Sequence, residues 1–247
     1  MRETAYAKIN LALHVRARRD DGYHDIETIF AFCEDGDVLT LEHATMPGHS
    51  DDSELTLLCT GFTTELKNRE ENLVMQAASA LWSLCRQRYG ASIKLDKRLP
   101  IAAGLGGGSA DAAAALRLLR RAWKLQIGDE ALHRIAVGLG ADVPACLSSR
   151  AARGEGRGEV LTAMFDNDFT GTPVLLVNPG IPLATAAVFA ACDGEDRGPL
   201  LDWRDGRNDL EPAAIALVPE IAAVLAAFEH SEVARMSGSG ATCFGLY

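Results

Sequence analysis

The sequence predicts an α+β protein, and three stretches carry that expectation. Residues 4–16 alternate apolar and polar positions, as a half-buried strand does. Leu116, Leu119 and Trp123 recur at helical spacing behind the alanines 112–115, the residue type with the best helix propensity. Toward the C-terminus, short apolar runs at 173–178, 233–236 and 243–247 read as strands and are interspersed with short helical runs.

The stretch 94–124, KLDKRLPIAAGLGGGSADAAAALRLLRRAWK, organises the rest. Ser92 to Asp96 alternates as a strand and Pro100 closes it. Gly104, Gly106, Gly107 and Gly108 follow, then Ser109, and then the alanine-rich helix, with Arg117, Arg120, Arg121 and Lys124 on its other face. A strand, a glycine loop and a helix start in that order make an anion site. The N–H groups of a helix's first turn have no internal partners, and the aligned peptide dipoles place about half a positive charge there. Glycine lets the backbone reach positive φ and lets a phosphate approach closely. Ser109 could N-cap the helix, contact a phosphate oxygen or help hold Mg²⁺. The spacing is neither of the two commonest phosphate motifs. A Walker loop needs a lysine after its last glycine, and none follows Gly108; a G-x-G-x-x-G fingerprint counted from Gly104 meets Ser109 at its last position.

Length and composition bound the remaining choices. A chain of 247 residues, 48% hydrophobic, forms one large domain or two modest ones with real cores. A formal net charge of −10 argues against nucleic acid or an anionic membrane as the main partner, so an anionic ligand needs a local positive site. The six cysteines are scattered with no C-x-x-C pair, which predicts reduced, mostly buried thiols and a cytoplasmic setting. An alternating strand starts within a few residues of Met1, so no targeting segment is visible, and the longest apolar run, Ile221 to Phe228, is too short to span a bilayer.

In chain order, Ala5, Ala7, Ile9, Leu11, Leu13 and Val15 form one face of the first strand; Tyr6, Lys8, Asn10, His14 and Arg16 form the other, opposite the core. Asp20-Asp21-Gly22 is a hairpin signal and His24 to Phe32 the returning strand. Asp35-Gly36-Asp37 reads as another turn, followed by strands at 38–41 and 55–58, with a mobile polar loop over 43–54 between them. Asn72 opens a helix over 73–88. After the central helix, Asp129 reads as the N-cap of a helix to Gly138, and Asp142, ahead of Pro144, as either an N-cap or a general base. Residues 150–161 read as strand plus turn. A polar run at 166–168 marks the start of a new unit. Thr185 to Cys192 reads as a short helix, 193–205 as a loop, and helices start near Asn208–Pro212 and at Pro219. The small-residue turn 237–241 allows close approach of a backbone or a ligand.

Together these motifs resemble the GHMP kinase superfamily. AGLGGGSADAAA is similar to its phosphate-binding motif and MSGSGATCFGLY to its third motif. AKINLALHVRARRDDGYHDIETIF is similar to the opening of those members that phosphorylate a cytidine-diphosphate-linked methylerythritol in the non-mevalonate isoprenoid pathway, and LGADVP and RNDLEP fit the same branch. The resemblance runs from Ala7 to Tyr247. It departs at Ala110, where the family usually has a second serine, and at Ala145 and Cys146, where aromatic residues are common.

The resemblance implies a two-domain α+β fold: an ATP-binding, ribosomal-protein-S5-domain-2-like N-terminal domain (1–165) and a ferredoxin-like C-terminal domain (166–247) that contributes to the substrate pocket, with the active site in the cleft between. It implies Lys8 and Asp142 as the catalytic pair. ATP would be wrapped by Pro100, Ile101, Ala102, Ala103, Gly104, Leu105, Gly106, Gly107, Gly108, Ser109 and Ala110, with Asn72 and Lys97 nearby. Asn10, Tyr23, His24, Thr185 and Phe189 would contact the substrate, Tyr23 stacking on cytosine and His24 bonding its edge. ATP and Mg²⁺ are the implied cofactors and a small cytidine diphosphate compound the partner; no nucleic acid, membrane or obligatory protein partner is expected. Another kinase of the superfamily, of homoserine or mevalonate type, is the alternative.

Overall fold

A computed structural model describes residues 1–45, 54–62, 72–85, 89–165 and 168–247. Two long strands open the chain: β1 (Arg2–Arg18) and β2 (His24–Thr45), joined by the hairpin at 19–23, where Gly22 has φ 85° and Arg19 N–H donates to Tyr23 O at 2.8 Å. Each strand begins in one folding unit and ends in another. The first unit holds Met1–Ala7, Glu34–Ile101 and Gly107–Ser148; the second holds Lys8–Cys33, Ala102–Gly106 and Ser149–Tyr247.

In the first unit β3 (Leu55–Gly61) runs parallel to β4 (Gly90–Lys97), and β4 runs antiparallel to the later part of β2, Val38 opposite Asp96 and Leu41 opposite Ile93. Four helices follow from the chain order: α1 (Leu73–Leu84), α2 (Gly107–Ala122), α3 (Asp129–Leu139) and α4 (Val143–Ser148). α1 and α4 both pack on α2. The alanines and leucines that predicted α2 are buried along with Trp123, whose indole N–H donates to Gly90 O at 3.1 Å. Arg117, read as part of the polar face, instead bonds Glu3 and the carbonyls of Cys146 and Leu147, tying α2 to β1 and α4.

In the second unit the first part of β2 pairs with β5 (Ala152–Glu155), and β5 with β6 (Val160–Ala163), both antiparallel. A separate antiparallel sheet places β9 (Cys243–Leu246) between β7 (Val174–Val177) and β8 (Val233–Met236). The helices α5 (Thr185–Ala191), α6 (Glu211–Leu217) and α7 (Glu220–Ala226) close over a core that includes Leu13, Val15, Ile26, Val188, Leu210, Ile221, Met236 and Cys243. The 207–209 segment lies along β1: Leu13 N–H donates to Arg207 O, and Asp209 accepts from Val15 N–H at 2.8 Å.

Several expectations change. Asp35-Gly36-Asp37 is not a turn; β2 runs straight through it. A Cβ at Gly36 would collide with the Ala5 carbonyl and lie 2.7 Å from Tyr6 Cα, so this glycine admits the neighbouring strand rather than a bend. The N-cap of α3 is Gly128, and Asp129 sits in the first turn, paired with Arg120. α1 ends at Leu84 with Cys85 extended; the expected continuation over 86–88 lies outside the described residues, as do 46–53 of the polar loop and 166–167 of the polar run. The expected loop does not include 43–45, which belong to β2. Among the described residues no disulfide joins the six cysteines, and Cys146 and Cys243 are buried while the other four are partly exposed. The middle of the β1 face opposite the core is not solvated: Lys8, Asn10 and His14 are as buried as Ile9 and Leu13, while Tyr6 is exposed.

Candidate active site

The glycine loop is pinned within the second unit. Lys8 N–H donates to Leu105 O at 3.0 Å, Thr242 N–H to Ala103 O at 3.1 Å, and Ser237 Oγ to Gly104 O at 2.9 Å. Ala102, Gly104 and Gly106 have φ of 51°, 74° and 63°. Positive φ at every second residue is the pattern that turns successive N–H groups into an anion-binding concavity. A Cβ at Gly104 would collide with the Ser237 carbonyl, so the two small-residue loops meet only because this position has no side chain. The chain then enters α2 at Gly107, whose first-turn N–H groups lack partners within the helix. Ser109 is therefore the third residue of the helix and not its N-cap. Ala103, Leu105 and Ala110 point inward, Gly108 is exposed, and Pro100 and Ile101 lie in the bend after β4. The backbone N–H groups of such a concavity fit a phosphate oxygen.

Lys8 lies against this loop. It is 3% exposed, its Nζ donates to Asn10 Oδ1 at 2.8 Å and stands 5.0 Å from the centroid of the Phe30 ring. A Cβ at Gly106 would be 2.9 Å from Lys8 Cε. Asn10 is held in turn: its Nδ2 donates to Thr28 Oγ1 at 2.8 Å, Thr28 donates to Ala12 O at 2.6 Å, and Asn10 N–H donates to Ser237 Oγ at 3.2 Å. The Asn10 side chain, expected to contact substrate, thus orients Lys8. Asn208, from the RNDLEP stretch, holds the 237–241 turn through Met236 O and Gly238 O, both at 2.7 Å.

A second group of predicted residues gathers at the β1–β2 hairpin. The His24 ring stacks on Phe189 with centroids 5.2 Å apart, and its buried Nδ1 has no hydrogen-bond partner among the described residues. Tyr23 is 55% exposed and carries the Arg157 guanidinium 4.9 Å from its ring centroid. Thr185 and Ser239 share a hydroxyl bond of 2.8 Å. An aromatic face, a buried ring nitrogen and a neighbouring hydroxyl suit a planar heterocycle with a polar edge.

The remaining candidates lie in the first unit. Asp142 occupies the capping position of α4, its carbonyl accepting from Cys146 N–H at 3.1 Å, with Pro144 in the first turn as the sequence suggests. Asn72 caps α1, its Oδ1 accepting from Val74 N–H at 2.9 Å. The Lys97 amine is buried between the carboxylates of Asp37 and Asp111. Burial pushes the Asp111 carboxyl up to about 7, against the pull of Lys97. Among the described residues no cluster of three or more His, Cys, Asp or Glu could hold a metal ion. A Mg²⁺ here would depend on phosphate oxygens and water, its usual ligands beside nucleotides, with the Ser109 hydroxyl as the protein atom on hand. Sequence reasoning missed Thr28, Ser237, Asn208 and Arg157, which act through contacts remote in the chain.

Family models and sequence relatives match the chain over most of its length. The family model described as GHMP kinases N terminal domain matches residues 72–150, and that described as GHMP kinases C terminal matches 187–247. A 4-diphosphocytidyl-2-C-methyl-D-erythritol kinase of Rhizorhabdus wittichii is 51% identical, covering 99% of this chain and 85% of that protein. One of Sphingopyxis alaskensis is 49% identical over 100% of this chain and 89% of its own length. The chain belongs to the 4-diphosphocytidyl-2-C-methyl-D-erythritol kinase family. A crystal structure of a 4-(cytidine 5'-diphospho)-2C-methyl-D-erythritol kinase matches with a TM-score of 0.78 at 35% identity, covering 100% of this chain and 90% of that one. The α+β fold is thus the GHMP kinase fold, as the motifs suggested.

Two buried histidines, His14 within β1 and His24 at the start of β2, also create a pH dependence. Burial lowers the pKa of both His14 and His24 from 6.5, and Arg18 adds to the effect at His24. His14 Nδ1–H faces Gly198 O at 3.1 Å while its Nε2 accepts from Arg207 N–H, so the neutral ring is the one that fits. As pH falls through 6.5 the unfolded chain takes up protons that the folded chain resists, so stability is lost on the acid side. The melting temperature should drop between about pH 7.5 and about pH 5.5, and His14→Gln should make that drop shallower. An unchanged slope in the variant would remove His14 from the account.

Proposed function

We propose that this chain transfers the γ-phosphoryl group of ATP to the 2-hydroxyl of 4-diphosphocytidyl-2-C-methyl-D-erythritol in non-mevalonate isoprenoid synthesis. The observation that carries the reading is the buried Lys8 amine against a side-chain-free glycine loop, in a chain 51% identical to a kinase named for that acceptor. ATP, when bound, supplies the phosphoryl group, and Mg²⁺ offsets part of its charge.

The chain's own residues then divide the work. Residues 100–110 receive the phosphates with backbone N–H groups, Asn72 lies toward the nucleotide, and the Ser109 hydroxyl reaches a phosphate oxygen or the metal. Asp142 takes the proton of the acceptor hydroxyl, a role worth about 10²–10⁴-fold. Lys8, aimed by Asn10, stabilises charge on the transferring group, since positioning and electrostatics do most of the work in phosphoryl transfer. Tyr23 stacks on the cytosine. His24, neutral and backed by Phe189, meets the edge of the base with its unpartnered Nδ1. Thr185 borders the same pocket. In this reading residues 1–165 bind ATP, 166–247 complete the substrate side, and the protein works in the cytoplasm with no nucleic acid, membrane or obligatory protein partner.

Asp142→Asn should fold and bind ATP yet lose at least about a hundredfold in turnover; near-normal turnover would reduce Asp142 to a helix cap. Tyr23→Ala should raise KM for the cytidyl acceptor by about the 1–3 kcal/mol of an aromatic–base stack. An unchanged KM would refute the stacking role, and transfer to homoserine or mevalonate instead would replace the substrate assignment.

A further inference from the structure

The first unit buries a charged cluster that the proposed reaction does not use. The side chains of Lys97, Asp37 and Asp111 are 4%, 0% and 5% exposed. Lys97 Nζ donates to Asp111 Oδ2 at 2.8 Å and to Asp37 Oδ2. The other oxygen of Asp37 accepts from the N–H groups of Arg98 at 2.6 Å and Leu99 at 2.8 Å, while Asp111 Oδ1 has no hydrogen-bond partner among the described residues. Removing three charges from water is expensive, and a buried ion pair is often no more stabilising than apolar residues of the same volume. Stability alone therefore explains the cluster poorly.

Its position explains it better. Lys97, Arg98 and Leu99 are the last residues before the stretch 100–110, and Asp111 is the first residue after it. Asp37, from β2, holds the incoming backbone, and Lys97 links that point to α2 through Asp111. A Cβ at Gly107 would lie 3.3 Å from Lys97 Nζ and 3.6 Å from Asp37 Oδ2, so the amine sits directly against the first residue of α2. One ammonium ties the chain entering the glycine stretch to the helix leaving it.

We propose that Asp37, Lys97 and Asp111 form a positioning clamp that sets the two ends of the 100–110 stretch before nucleotide binds. Lys97 then acts on ATP through the shape of the loop and not by touching the nucleotide. A loop already held in its bound conformation loses less freedom on binding, which lowers KM without new contacts. The inference rests on the reading of 100–110 as the ATP loop.

Hydrogen exchange at the 98–110 amides of the nucleotide-free full chain, together with KM for each substrate, tests it. Lys97→Met leaves two carboxylates facing each other and is a poor first choice, so Asp111→Leu and Asp111→Asn are compared. Asp111→Leu should speed exchange at 98–110 and raise KM for ATP, each about tenfold, with KM for the cytidyl acceptor unchanged. Asp111→Asn, which keeps an acceptor for Lys97, should restore both toward wild type. Wild-type exchange in nucleotide-free Asp111→Leu, faster exchange with unchanged KM for ATP, or Asn behaving as Leu would each overturn the clamp. Failure of the ATP-loop reading shows separately, as wild-type amides at 98–110 that ATP leaves unprotected.

Discussion

A lysine amine buried against a loop that has no side chain to spare is the constraint on which the rest depends. Burying an ammonium costs several kcal/mol unless the surroundings repay it. Here Asn10 Oδ1 and the Phe30 ring face the Lys8 amine, and Thr28 fixes which end of the Asn10 amide points that way. The side chain reaches its place by passing where a Cβ on Gly106 would stand. Strand pairing, the glycine at 106 and the 237–241 turn are thus parts of one arrangement, because moving any of them moves the amine or the backbone it lies against. In a chain with net charge −10, the Lys8 ammonium and the loop N–H groups supply a local positive site.

Much of this was legible in the residues. Alternation placed β1 within two residues of its observed ends, and Asp20-Asp21-Gly22 marked the hairpin that presents Tyr23 and His24. The strand–glycine–helix order marked the anion site because glycines and helix starts have local physical meanings. The failures also share a physical reason. Alternation tells two faces of a strand apart but not whether the polar one is covered, so Lys8, Asn10 and His14 looked solvated and are buried. Asp35-Gly36-Asp37 has the composition of a turn, yet Gly36 is small because β1 crosses it at Ala5 and Tyr6, a contact no local window contains. The same holds for Ser237, whose hydroxyl meets the backbone of Asn10 from the far end of the chain. Lys97 was legible as a residue near the nucleotide stretch, but its two carboxylate partners were not, since one of them had been read as part of a turn.

The charged groups of the molecule fall into two kinds. Surface pairs such as Arg134–Glu130 are solvated and contribute little. Among the buried ones, Asp209 pairs with Arg207 and holds β1, Lys8 faces Asn10 beside Gly106, and Lys97 with its two aspartates joins the residues before and after the glycine stretch, where a rigid backbone has the most effect on a bound polyanion.

The most direct measurement is steady-state turnover of Gly106→Ala, read beside its melting temperature. The added methyl would meet the Lys8 chain, 2.9 Å from Cε, and the alanine would have to hold a φ of 63°, which costs an L residue about 1–2 kcal/mol, so the amine should be pushed aside while the fold still stands. The account predicts turnover lowered by about a hundredfold, the typical effect of displacing a reacting group by roughly 1 Å, with the melting temperature lowered by only several degrees. A variant that folds and turns over at the wild-type rate would contradict it.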